Sequence, residues 1–70
     1  MKLLINGRDR EFVELDQNPS LTHLIDLLQL KSDRVAVEHN GAIVARAAWA
    51  KTLLHAEDKL EVVQFVGGGK

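Results

Sequence analysis

Apolar and polar positions change rhythm four times along this chain, and each change marks an element. In "KLLINGRDREFVEL" and again in "RVAVEHNGAIVAR", two β-like runs are separated by an Asn-Gly pair. A type I′ hairpin turn needs φ > 0 at both central residues, which Asn-Gly supplies at little cost. Both stretches therefore predict hairpins, the first with a longer or bulged loop because "RDR" is so polar. Between them Leu21, Leu24, Ile25 and Leu28 fall at i, i+3, i+4 and i+7, the period of one helical face. Ser20 suits the N-cap, Pro19 ends the preceding strand, and Lys31 and Ser32 stand where the helix should stop. A short segment of undecided type surrounds Trp49. The chain then turns through Glu57, Asp58 and Lys59 into a last strand over 60–66. The order β-β-α-β-β-turn-β predicts an α+β layer pair, a mixed sheet of four to five strands packed on one main helix.

Alternation along the strands assigns the faces. Leu3 and Ile5, Val13 and Leu15, Val35 and Val37, and Leu60 and Val62 can face the helix. Leu4, Phe12, Val63 and Phe65 are then directed outward. Contiguous apolar residues on an uncovered sheet face suggest a partner surface, so these four are its candidates.

Seventy residues make one domain. The pattern bounds it at 1–66 and leaves 67–70 as a flexible glycine tail. A net charge of −1 offers no basic field for nucleic acid. No cysteine is present, which removes disulfides, thiolate metal sites and cysteine nucleophiles together. The apolar run before Asn6 is too short for a signal core or a membrane span, so a cytoplasmic protein with no membrane partner is expected.

Candidate chemistry within the domain is sparse. Ser20 reads as a helix cap, since nothing nearby supplies an activating base at a motif spacing. His23, His39 and His55 lie on three elements without a metal-ligand spacing, so no metal is expected. Glu11, Glu14, Asp16, Glu38, Glu57, Asp58 and Glu61 read as solvated edges and turns. The three glycines are not a phosphate loop, because no helix follows them. No catalytic residue, bound cofactor or intrinsic enzyme activity is expected.

The tail "VGGGK" itself remains. Glycine cannot build a core, but three extended residues span roughly 10 Å and can pass through a slot that admits only backbone. A glycine carboxylate activated as a mixed anhydride with AMP can be captured by sulfur or by an amine. A frayed, inert terminus explains the same residues equally well.

"INGR", "VAVEHNGAIVAR" with Trp49 following, and the terminal "DKLEVVQFVGGG" together resemble the β-grasp, ubiquitin-like sulfur carriers, and more closely their thiamine-biosynthesis branch, the ThiS family. The resemblance covers essentially the whole chain. It implies a β-grasp fold and a carrier that is a substrate for other enzymes. An E1-like adenylyltransferase of the ThiF type would activate the terminal glycine using ATP. A sulfur donor enzyme would convert the adenylate to a thiocarboxylate, and a ThiG-type thiazole synthase would receive the sulfur. Carried onto this chain, Gly69 and Gly68 become the adenylate- and thiocarboxylate-bearing end. Gly67 and Val66 become the threading tail, and Phe65 seats its base on the partner. Lys70 departs from the pattern, because the family's working form ends on glycine; it is expected to be removed or foreign to the active protein. Three alternatives stay open: a molybdopterin-synthase small-subunit type of carrier, a ubiquitin-like protein modifier, and an interaction module with an inert tail.

Overall fold

The computed structural model describes residues 1–15 and 17–65. Six elements carry the architecture: β1 (Lys2–Ile5), β2 (Arg8–Glu11), α1 (Leu21–Leu27), β3 (Val35–His39), β4 (Ala42–Ile43) and β5 (Lys59–Gln64). The strands form one mixed sheet in the order β2-β1-β5-β3-β4, with β1 and β5 parallel and the other neighbours antiparallel. The last strand is thus inserted at the centre. None of the helices described is long and apolar enough to cross a membrane.

Both Asn-Gly turns form as expected, with Asn6 at φ 52° and Gly7 at 80°, and Asn40 at 50° and Gly41 at 91°. The first hairpin is tighter than its polarity suggested. Ile5 pairs with Arg8, so the turn holds two residues only and "RDR" is strand rather than loop. An edge strand tolerates such polar residues because one side has no pairing neighbour.

That tight turn overturns the expected facing of the next residues. Beyond Glu11, the last residue of β2, Phe12 donates its N–H to the Met1 carbonyl at 2.8 Å and accepts from the Met1 amino group at 2.8 Å, so the pairing runs one residue further. Alternation therefore continues, and Phe12 keeps the face of Arg8 and Arg10, the partners of the buried Ile5 and Leu3. Phe12, expected outward, is 5% exposed within the core with the Arg10 guanidinium 5.2 Å from its ring centroid, whereas Val13, expected inward, is 82% exposed. Leu15 is buried as expected.

The core lies between sheet and helix. Leu3, Ile5, Val35, Val37 and Leu60 from the strands meet Leu21, Leu24 and Ile25 from α1, with Val62 and Leu28 packed half-buried at its margin. Ser20 caps the helix, accepting from the His23 N–H at 3.4 Å, while His23 Nδ1 accepts from the Ser20 N–H at 3.0 Å. This is a capping box with histidine in the usual place of Glu or Gln. The helix stops earlier than expected, at a Leu28 C-cap, because Gln29 takes φ 59°.

The undecided segment is a 3-10 helix, Arg46–Lys51, that drives Trp49 into the core to 3% exposure. Its indole N–H donates to the Val44 carbonyl at 3.0 Å, so the buried polar atom is satisfied. The following residues lie along the start of α1: Leu21 N–H donates to Thr52 at 2.8 Å, and Leu54 N–H to Pro19 at 2.7 Å.

Candidate functional site

Strand β5 is the element that leads towards the glycines, and the fold holds it on both sides. Ladder pairing runs along β3 from His39–Leu60 to Val35–Gln64. On the other flank β1 pairs only as far as Ile5–Leu60. The Asn6 side chain then continues the ladder: its amide donates to the Val62 carbonyl at 3.1 Å, and its Oδ1 accepts from the Val62 N–H at 2.7 Å. Asn40 does the corresponding work at the start of the strand, donating its N–H to the Lys59 carbonyl at 2.7 Å and accepting the Lys59 N–H on Oδ1 at 2.8 Å. Each asparagine that makes a hairpin turn therefore also clamps β5. Sequence gives the first role from two residues; the second joins positions 56 residues apart for Asn6.

Asp58 secures the loop that delivers β5. Its carboxylate, 12% exposed, lies 2.8 Å from His39 Nε2 and accepts from the His55 N–H at 2.9 Å and from the Asn40 amide at 3.2 Å. Burial alone would raise its pKa. The hydrogen bonds to His39, the His55 backbone and Asn40, with the coulombic effect of His39, outweigh that and hold it below its ordinary value of 3.8. The sequence suggested a solvated turn carboxylate; the partners that make it a tie come from β3 and its hairpin.

A carboxyl with a lowered folded-state pKa stabilises above its unfolded pKa, and loses that contribution as pH falls through the lower folded value. Asp58→Ala is therefore expected to cost about 1–3 kcal/mol at neutral pH by stranding its donors. Denaturant titrations across acid pH should show the gap from wild type narrow below about pH 4. A gap independent of pH would remove the charge from the account.

The outward sheet face carries the expected apolar residues in part. Val63 is 59% and Phe65 49% exposed, Leu4 is half-buried between Asp9 and Lys59, and Phe12 is absent from this face because it is in the core. Ile43, which the sequence reading passed over, is 78% exposed and lines a shallow hollow with Ala36 and Val63, flanked by Glu38 and Glu61. Its place in a two-residue strand after Asn40-Gly41 was the available signal: Ile43 pairs with Glu38, an outward position. Val66, Gly67, Gly68 and Gly69, with Lys70, lie outside the described residues.

Beside the root of the tail, Phe65 N–H donates to the Arg34 carbonyl at 2.9 Å. Gln29, Lys31, Arg34, Gln64 and Phe65 line an open cleft there.

Comparison with known proteins assigns this arrangement. The model of the ThiS family matches residues 3–69, from the first core leucine through the last glycine. The chain belongs to the ThiS family. It is 31% identical over 67 residues to the sulfur carrier protein ThiS of Bacillus subtilis, covering 96% of this chain and 98% of that one. The crystal structure of the thiamine biosynthesis protein ThiS from Geobacter metallireducens superposes with a TM-score of 0.80 at 31% identity, covering 99% of this chain and all of that one. The β-grasp fold implied by the resemblance is thus the fold of this ThiS-family chain. A thiazole synthase from Paramagnetospirillum magneticum is 41% identical over 69 residues, 99% of this chain but 20% of that protein. The chain spans about a fifth of that relative's length.

Proposed function

We propose that this chain is a sulfur carrier of thiamine biosynthesis, acting through Gly69 and catalysing nothing itself. A ThiF-type adenylyltransferase binds the outward face through Phe65, Val63, Ile43 and the edge of Leu4, while Val66, Gly67 and Gly68 thread its slot. The Gly69 carboxylate attacks the α-phosphorus of ATP and pyrophosphate leaves. Sulfur from a donor enzyme attacks the acyl carbon and AMP leaves, giving the thiocarboxylate. A ThiG-type thiazole synthase then receives that sulfur. The nucleotide is bound by the activating enzyme, and the carrier needs no cofactor of its own.

The observation that carries this reading is a family match that runs through Gly69. The similarity of nearly the whole chain to one fifth of a thiazole synthase supports that enzyme as receiver, because carrier-like sequence and synthase share one polypeptide there. The geometry is compatible: a central strand clamped by Asn6 and Asn40 gives the tail a fixed point of departure. Activation requires a free Gly69 carboxylate, so hydrolysis of the Gly69–Lys70 peptide bond precedes it wherever Lys70 is attached.

The test is intact mass of a Gly69-ended form after incubation with ATP, a ThiF-type enzyme and sulfide. Exchange of one terminal oxygen for sulfur is expected. An unchanged mass would refute the carrier reading. Isopeptide adducts on lysine amines without thiocarboxylate would make the chain a modifier instead.

A further inference from the structure

The cleft at the root of the tail bears two cations that neither fold nor core requires. Lys31 has no ion-pair partner among the described residues, and Arg34 meets only Asp33, its Nε 4.0 Å from the carboxylate with both side chains about half exposed or more. Exposed pairs at such a distance contribute little, so the terminal guanidinium nitrogens stay available to a partner. Arg34 is held in place by its backbone, because its carbonyl takes the Phe65 N–H at 2.9 Å as the last rung beyond β5. Lys31 precedes the 3-10 turn Ser32–Arg34, which keeps the two side chains on the same cleft as Gln29, Gln64 and Phe65. Beside the apolar hollow on the outward face the charges are of the other sign, where Glu61 of β5 pairs with Glu38 of β3. Lys31 and Arg34 are the two cations that line the cleft where the chain leaves the sheet.

Resting on the carrier reading above, we propose that Lys31 and Arg34 form a basic collar that docks onto acidic side chains around the mouth of the adenylyltransferase's tail slot. Reach selects protein carboxylates over nucleotide phosphates. Phe65 and Gly69 are four residues apart, and a chain threaded through a backbone-wide slot extends by roughly 3.3–3.6 Å per residue. The reacting end then lies more than about 13 Å from the collar, beyond contact with ATP. What the collar meets is the protein surface into which the tail descends. The two positive charges raise the encounter rate with an acidic rim and set the rotation of the carrier about its tail, which apolar contact at Phe65 and Val63 leaves undetermined.

The experiment compares full-length wild type with Lys31→Glu/Arg34→Glu and with Lys31→Arg/Arg34→Lys for binding to a purified ThiF-type adenylyltransferase. Circular dichroism and thermal melting verify the fold. The charge-reversed chain is expected to bind on the order of tenfold or more weakly at low salt, with the deficit shrinking as salt is raised and screening shortens. The charge-conserving variant should retain wild-type affinity. Equal affinity of the reversed chain, or a deficit unaffected by salt, would overturn the collar while leaving the carrier reading intact. Wild type that fails to bind the adenylyltransferase at any salt would overturn the reading itself, and the collar with it. Charge reversal that weakens binding to thiazole synthase but not to the adenylyltransferase would refute the assignment to the activating partner.

Discussion

Leu60→Ala is expected to destabilise the protein by about 2–5 kcal/mol, the usual cost of emptying a fully packed leucine site. Leu60 is 0% exposed and sits on the central strand, beside Ile5 on β1 and opposite His39 on β3. Its side chain enters the layer of Leu3, Val37, Leu24 and Leu54, all likewise buried, so no neighbour can swing in from solvent to fill the space. A domain of this size has a total stability of roughly 4–10 kcal/mol, so the loss is a large share of the whole. Urea denaturation of the variant should show a much lower midpoint at similar slope. Val63→Ala provides the control from the same strand: Val63 is 59% exposed, and its truncation should change stability by less than about 0.5 kcal/mol. A Leu60 variant as stable as the Val63 variant would place the core elsewhere.

Gly68→Val should do the reverse, leaving the melting curve untouched while suppressing activation by about a hundredfold, the penalty for misplacing a reacting group by an ångström or so. A β-branched residue restricts its own backbone and presents two methyl groups to a slot dimensioned for a bare chain. Neither effect is expected to touch the folded body, because a glycine has no side chain to lend to the core between α1 and the sheet. Adenylation is read by pyrophosphate exchange with the Gly69-ended form. An undiminished rate would show that the slot accepts side chains and that glycine is there for another reason.

These two substitutions test whether the molecule divides into a body that must be packed and an end that must be bare. The elements of the body were legible in the sequence. Two Asn-Gly pairs, one 3.6-residue period and Ser20 specify hairpins and a capped helix through local rules alone, and each acts over a few residues. The outward setting of Val63 and Phe65 followed from strand alternation, and holds because β5 is continuous from Lys59 to Gln64. Phe12 and Val13 exchanged their expected places because the first hairpin has a two-residue turn. That turn pairs Arg8 with Ile5 and Arg10 with Leu3, which puts these positions and Phe12 after them on the core side and Val13 on the other. Ile43 escaped notice because a two-residue strand has no period to read.

By itself, the order of residues determined the kinds of element, their sequence, most of the helix-facing core and the glycine end, since these depend on contacts within a turn or along one strand. Only the tertiary structure decided that β5 lies in the middle of the sheet, that Asn6 and Asn40 close its ladders, that Asp58 gathers His39, Asn40 and the His55 N–H, and that Lys31 and Arg34 share a cleft with Phe65. Those meetings join residues brought together by the crossover of the chain. Their partners are chosen by packing and hydrogen-bond satisfaction in three dimensions, which no local pattern encodes.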